Sequence, residues 1–139
     1  MNVDHIGIAV RSLDAALRVY GAIGLRPTVT ESVPSEGVRV AFLPAGDAHL
    51  ELLEPLGTDG VIAKFLDTRG EGLHHVALAV DDIVAAMDRA RAAGLAVIDE
   101  RPRQGARGRK VAFLHPKATG GVLLELVQPA SPTDGTIHG

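Results

Sequence analysis

The sequence predicts an α+β fold built from two βαβββ modules, because long stretches of the first half return in the second. The run Asp4-His5-Ile6-Gly7-Ile8-Ala9-Val10 returns as His74-His75-Val76-Ala77-Leu78-Ala79-Val80. Residues 40–43 and 51–55 return as residues 111–114 and 125–129. The distance in sequence between matching residues of the two halves grows from 70 to 71 to 74 residues. The extra residues of the second half therefore fall in the loops between the matching segments. A repeat of this length outweighs local propensity at any single position.

The first module contains a strand at 3–10, a helix that Ser12 caps and Gly24 ends, and three strands at about 28–33, 38–43 and 49–54. The second module repeats this order, with a strand at 73–80 and a helix between Asp82 and Gly94. We expect the modules at about 2–55 and 72–129, a linking helix at about 58–69, and a flexible tail at 130–139. Residues 1–129 then form one domain.

Composition excludes several classes of protein. The 139 residues contain no cysteine, so disulfides and thiolate chemistry are ruled out. No apolar run is long enough to cross a membrane, and no leader peptide precedes the first strand. The net charge of −3 argues against general nucleic-acid binding. We therefore expect a cytoplasmic protein without membrane or nucleic-acid partners.

Alternation along the strands brings chemically reactive residues to one face. In the first strand, Ile6, Ile8 and Val10 face the helix, whereas His5 shares the other face with Gly7 and Ala9. In the repeat, His75 stands on the same face as two alanines. A polar ligand followed by small side chains indicates a cavity, because a packed core would fill that space.

The closing strands add Glu51 and Glu125 at matched positions inside leucine-rich runs. An isolated strand histidine or glutamate is more often structural, but the matched positions favour a metal site with the ligands His5, Glu51, His75 and Glu125. Nitrogen and oxygen donors of this kind suit Co²⁺, Mn²⁺, Ni²⁺, Zn²⁺ or Fe²⁺ rather than Ca²⁺, and Co²⁺ is our first expectation. His74 falls on the opposite face, and we interpret it as structural.

At these residues the chain resembles the vicinal oxygen chelate superfamily and, within it, the methylmalonyl-CoA epimerases. The narrower stretches are Phe113-Leu114-His115-Pro116-Lys117 and Gly121-Val122-Leu123-Leu124-Glu125. The resemblance implies a single curved mixed sheet around a metal-binding cavity, a CoA-thioester substrate, a homodimer and a place in propionate metabolism. It also implies epimerisation of (R)- and (S)-methylmalonyl-CoA by metal-assisted 1,1-proton transfer through an enolate.

Inversion at C2 calls for a proton donor on each side of the enolate plane. Some epimerases carry a glutamate for this purpose where this sequence has Val40. We therefore assign Glu125 as one base, with His49 or a metal-bound water as the second.

The loop 101–110 holds five cationic side chains. It is either a solvated hairpin loop or a mobile segment that meets the acyl carboxylate or the CoA phosphates. In the second case Arg107 and Lys117 are the candidate substrate-binding residues.

Two other functions stay open. A glyoxalase I-type lactoylglutathione lyase would use the same four ligands, and a metal-free, antibiotic-sequestering protein would use none.

Overall fold

The computed structural model describes residues 1–130, which contain three helices and eight strands. The strands and helices, in chain order, are β1 (Asn2–Ala9), α1 (Leu13–Ala22), β2 (Val29–Val33), β3 (Val38–Ala45), β4 (Ala48–Pro55), α2 (Val61–Arg69), β5 (Gly72–Ala79), α3 (Ile83–Ala92), β6 (Arg103–Gln104), β7 (Lys110–Leu114) and β8 (Leu124–Gln128). The predicted α+β class and the repeated βαβββ order are confirmed. Apart from its first residue, the predicted tail lies outside the described part of the chain.

The chain divides into two compact units, the first spanning Val3–Ala77 and the second starting at Leu78 and including Met1–Asn2. In the first unit the strand order is β2-β3-β4-β1-β5. Strands β1 and β4 run parallel, while β2–β3 and β3–β4 are antiparallel, so this sheet is mixed. In the second unit, β8, β7 and β6 follow one another in antiparallel pairs. The module boundaries at 2–55 and 72–129 stay a prediction.

Helix α1 of the first unit and helix α3 of the second each pack on an aliphatic cluster, as the apolar stripes predict. In the first unit the buried members are Val10, Leu13, Ala41, Leu43 and Leu52, with Ile8 and Leu17 against them. In the second unit they are Val80, Ile83, Met87, Ala112 and Leu126. The predicted orientation of β1 is therefore confirmed at Ile8 and Val10, which lie on the helix side. None of the helices within residues 1–130 is long and apolar enough to span a bilayer.

The starts of α1 and α3 are held in the same way. The Ser12 hydroxyl accepts a hydrogen bond from Ala15 N at 3.1 Å, and the Asp82 carboxylate accepts one from Ala85 N at the same distance. These contacts confirm both predicted N-caps.

A second acceptor at each helix start comes from the closing strand of the module. Glu54 Oε2 accepts from Leu13 N at 2.8 Å, and Gln128 Oε1 accepts from Ile83 N at 2.9 Å. The repeat thus explains why a glutamate and a glutamine occupy equivalent positions in the two halves, because either side chain supplies the oxygen that this backbone N–H needs.

This pairing predicts the cost of changing Glu54. Glu54→Ala leaves Leu13 N without its side-chain acceptor and is expected to lower the free energy of unfolding by about 1–2 kcal/mol, the range measured for lost helix caps. Glu54→Gln keeps the oxygen, as Gln128 does, and is expected to lose less than half of that. Urea unfolding of the three proteins measures the difference. Equal destabilisation by both substitutions would contradict the assignment.

Candidate metal centre

The parallel pairing of β1 with β4 gathers the polar residues of the first unit. His5 pairs with His49, and Gly7 pairs with Glu51. Because residues two apart share a face, His5, His49 and Glu51 lie on the same side of the sheet. His5 and Glu51 are only 1% and 4% exposed. Burial at this level requires that each polar group have a partner.

The imidazole of His5 is held by two carboxylates. Its Nδ1 lies 2.6 Å from Asp4 Oδ2 and 3.1 Å from Glu51 Oε2. Glu51 Oε2 also lies 2.8 Å from His49 Nε2, and the rings of His5 and His49 stack at 5.2 Å. One donor atom from each of Asp4, His5, His49 and Glu51 falls within 4.8 Å of the others. The structure therefore places two carboxylates, those of Asp4 and Glu51, and one imidazole, that of His49, around His5.

His75 reaches the same place from β5. Its Nε2 lies 3.0 Å from His5 Nε2, and the two rings meet edge to face at 5.1 Å. A Cβ built on Gly7 would lie 2.1 Å from His75 Cε1. The space above Gly7 is therefore filled by the His75 imidazole, and the expectation that Gly7 floors an open cavity is wrong. A glycine is needed here because the neighbouring ligand passes directly over the backbone.

The arrangement fits a divalent cation. Two imidazole nitrogens bound at about 2.1 Å and at right angles on one ion lie about 3.0 Å apart, which is the separation of the two Nε2 atoms here. With the Nδ1 proton of His5 directed at carboxylates, its Nε2 offers a lone pair, as in many carboxylate–histidine–metal sites. The two carboxylates, Asp4 and Glu51, supply negative charge that a cation would balance.

The side chains of Glu51 and His49 form a hydrogen-bonded pair. Because Glu51 Oε2 contacts Nδ1 of His5 rather than Nε2, the carboxylate lies at the other edge of that ring. His49 Nε2 contacts Glu51. A proton transfer through His49 would therefore use its other ring nitrogen, Nδ1. The roles of Glu51 as ligand and His49 as base stay predictions. Val40 is 2% exposed and pairs with Leu53 of β4 on one side and with Glu31 of β2 on the other.

Glu125 belongs to the second unit. It lies on β8, is 6% exposed, and pairs with Phe113 as Glu51 pairs with Phe42. The two units therefore bury their glutamates in the same register, which agrees with the matched positions in the sequence. Its assignments as ligand and as base stay predictions.

His74 has a closer connection to the site than its strand face indicates. Its Nδ1 lies 2.9 Å from His75 Nδ1, and its ring meets that of Phe65 at 4.9 Å. Sequence reasoning missed this contact, and it also missed Asp4. The sequence contains an indication for Asp4, because a carboxylate stands directly before a candidate ligand. It contains none for His74, because alternation along the strand places His74 and His75 on opposite faces.

The basic loop is more ordered than a solvated hairpin loop. Arg103 and Gln104 pair with β7, and Arg109 is 8% exposed and donates through Nε to Ala106 O at 3.0 Å. Of the two alternatives for this loop, the solvated hairpin does not fit Arg109, whose side chain is buried and binds a carbonyl of the loop. Arg107 is exposed and has φ 61°, an uncommon conformation for a residue with a side chain. Lys117 is exposed in a short turn; the substrate-binding roles of both stay predictions.

The fold and this cluster define a class of protein, and comparison with known families agrees. The profile of the glyoxalase/bleomycin resistance protein/dioxygenase superfamily matches residues 4–113, and the chain belongs to that superfamily. The resemblance drawn from the His and Glu strands is thus confirmed.

Within the superfamily, several of the similar proteins are named as epimerases. The chain is 42% identical to human mitochondrial methylmalonyl-CoA epimerase, over 91% of this chain and 73% of that one. It is 40% identical to the ethylmalonyl-CoA/methylmalonyl-CoA epimerase of Cereibacter sphaeroides, over 91% and 96%. The solved structure of a single-residue variant of Streptomyces coelicolor methylmalonyl-CoA epimerase in complex with 2-nitronate-propionyl-CoA superposes with a TM-score of 0.91 at 40% identity, covering 94% of this chain and 96% of that one. These relatives are isomerases of the racemase and epimerase class.

Proposed function

We propose that this chain is a methylmalonyl-CoA epimerase that interconverts the (R) and (S) forms by 1,1-proton transfer at C2. The observation that carries the proposal is the buried approach of His5 Nε2 to His75 Nε2 at 3.0 Å. Relatives about 40% identical are named for this reaction, and one of them holds a propionyl-CoA nitronate. A planar nitronate has the charge distribution of the enolate that C2 deprotonation would give, which supports an enolate route.

His5 and His75 would hold the cation through Nε2, with Glu51 and, from its repeat position, Glu125 as the anionic ligands. Bound there, a divalent ion supplies Lewis acidity that stabilises negative charge on the thioester oxygen. Asp4 fixes His5 with its Nδ1 protonated, and His49 orients Glu51. The donor set suits Co²⁺, Mn²⁺, Ni²⁺ or Zn²⁺, and Co²⁺ remains our first expectation.

Proton transfer would fall to Glu125 and His49. Glu125 is a carboxylate on β8, and only 6% of it is exposed. His49 is stacked on His5 and has 17% of its side chain exposed, so it can exchange a proton with solvent. Arg107 and Lys117 would neutralise the carboxylate or phosphates of the CoA thioester. A homodimer and a cytoplasmic location also stay predictions.

Two parallel assays separate this function from its alternatives. The metal-loaded protein is incubated in D₂O with methylmalonyl-CoA, and separately with the methylglyoxal–glutathione hemithioacetal. We expect deuterium at C2 of methylmalonyl-CoA and no lactoylglutathione. Lactoylglutathione formation without C2 exchange would favour the lyase. A protein that holds no metal by elemental analysis and turns over neither substrate would favour the sequestering function.

The role of Glu125 as a base has its own test. Glu125→Gln keeps an oxygen for a cation but cannot accept a proton at neutral pH, so we expect C2 exchange to fall by at least about 100-fold, the usual contribution of a general base. Metal content, measured on the same samples, controls for loss of a ligand. Exchange at the wild-type rate with full metal content would remove Glu125 as base.

A further inference from the structure

Three residues of the second unit form one connected group at the edge of its sheet. Asp99 Oδ2 accepts a hydrogen bond from Phe113 N at 2.8 Å, and Asp99 Oδ1 lies 2.6 Å from Arg103 Nε. The guanidinium carbon of Arg103 lies 5.5 Å from the centroid of the Phe113 ring. A charge-assisted contact to the carboxylate and a cation–π contact to the ring therefore hold the guanidinium beside β7.

The guanidinium lies on the same face of the sheet as Glu125. Along β7, Ala112 belongs to the aliphatic cluster against α3, so its neighbour Phe113 is on the opposite face. Phe113 pairs with Glu125 of β8, and partners in an antiparallel pair share a face, with Cβ atoms about 4.5–5.5 Å apart. Arg103 pairs with Val111, which is on that face too. One aromatic ring thus separates the cation from the carboxylate proposed as base.

The Asp99 carboxylate orients the guanidinium from below the surface. Only 10% of the Asp99 side chain is exposed, against 42% for Arg103. The backbone of Asp99 is held as well, since its carbonyl accepts a hydrogen bond from Arg91 Nη2 at 2.8 Å. Because Asp99 contacts Nε, the far end of the Arg103 guanidinium, with Nη1 and Nη2, is the part that an incoming oxyanion would contact. Planar guanidinium and carboxylate groups favour such two-point contacts.

We propose that Arg103 binds the free carboxylate of the methylmalonyl group and makes the site specific for it. That carboxylate is bonded directly to C2. A cation that binds it and a base that removes the C2 proton can therefore stand at most about 9 Å apart, given contacts of about 2.8 Å to the carboxylate and about 3–3.5 Å to C2. A single aromatic ring between Arg103 and Glu125 gives a separation of this order. This inference rests on the proposed function.

The assignment separates the roles of the cations near the site. Arg103 takes the acyl carboxylate, which leaves Arg107 and Lys117 to the phosphates of CoA. The acyl carboxylate keeps its charge throughout the reaction, so Arg103 stabilises bound substrate and transition state alike. Loss of this contact should therefore raise KM for C2 exchange and leave kcat nearly unchanged.

The experiment compares the affinities of the Co²⁺-loaded protein for methylmalonyl-CoA and for propionyl-CoA, which lacks the carboxylate, by isothermal titration calorimetry. Arg103→Met keeps an apolar stem over Phe113 but carries no charge. In this variant we expect the preference for methylmalonyl-CoA to fall by at least about 10-fold, the usual value of a hydrogen bond to a charged group. Affinity for propionyl-CoA should stay as in the wild type. Elemental analysis of the same samples controls for metal content.

Arg101→Met is the matched control. Arg101 is exposed and lies two residues away in the same loop, so this variant loses the same charge without touching the pair of Asp99 and Arg103. Its preference should equal that of the wild type. Arg103→Lys keeps the charge without the planar fork and should recover part of the preference that Arg103→Met loses.

Three outcomes would overturn the proposal: an unchanged preference in Arg103→Met, an equal loss of affinity for both thioesters in that variant, or an equal loss of preference in Arg101→Met. The proposed function is tested separately by C2 exchange in the wild type. A preference that depends on Arg103 in a protein without C2 exchange would reject the epimerase function and leave the role of Arg103 intact.

Discussion

Replacing Gly7 with alanine is expected to remove metal binding and, with it, epimerase activity. The new Cβ would lie 2.1 Å from His75 Cε1, with Nδ1 and Nε2 of the same ring at 2.5 and 2.6 Å. Carbon atoms in proteins do not approach this closely, so the imidazole must leave its place beside His5. We expect Co²⁺ affinity to fall by more than about 100-fold, because even the loss of an outer partner costs 10–100-fold. Overpacking of this kind also lowers the free energy of unfolding by about 1–3 kcal/mol.

Gly21→Ala is the matched control. Gly21 lies inside α1, and the nearest atom to its new Cβ would be Arg26 Nη1 at 3.5 Å, an ordinary contact. Alanine is favoured over glycine in a helix by up to about 1 kcal/mol, so this variant should bind Co²⁺ normally and unfold at equal or higher urea concentration. Normal Co²⁺ affinity in Gly7→Ala would show that His75 is not a ligand in the position described.

Replacing His5 with alanine is the second change of large expected effect. His5 contacts Asp4, Glu51 and His75, and its removal takes away one ligand together with the donor to two carboxylates. We expect Co²⁺ affinity to fall by more than about 100-fold and C2 exchange to be undetectable. Titration of the metal-free protein with Co²⁺, followed by visible absorption, measures the change.

His49→Ala gives a graded comparison in the same cluster. His49 stacks on His5 and holds Glu51 but is not a predicted ligand, so its loss should lower Co²⁺ affinity by about 10–100-fold and no more. Circular dichroism of the metal-free proteins controls for folding. If His49→Ala weakens binding as much as His5→Ala does, the division between ligand and outer partner is wrong.

Much of the fold could be predicted because the repeat and the local chemistry agree. Ser12 and Asp82 were recognisable as N-caps since each precedes an apolar stripe of helical period, and both accept the predicted backbone N–H. Strand parity correctly placed Ile8 with the helix and His5 with Glu51 on the opposite face. These features depend on residues that are neighbours in the sequence, or on a pattern that recurs at equivalent positions in the two modules.

Features that depend on which strands lie side by side could not be predicted. Parity places Gly7 and His75 on particular faces, but only the β1–β5 neighbourhood puts the imidazole over the glycine. The contact between His74 and His75 was missed for a related reason, since rings on alternate faces can still meet through Nδ1 near the backbone. Arg109 was missed because its partner, the Ala106 carbonyl, is presented by a turn within the loop.

We expect that proton exchange at C2 of methylmalonyl-CoA requires a cation held by His5 and His75. The direct measurement follows deuterium incorporation at C2 by the chelator-treated protein in D₂O as Co²⁺ is added back in known amounts. We predict no exchange without metal and a linear rise that stops at one ion per chain. Exchange at the full rate in protein shown by elemental analysis to contain no metal would contradict the claim.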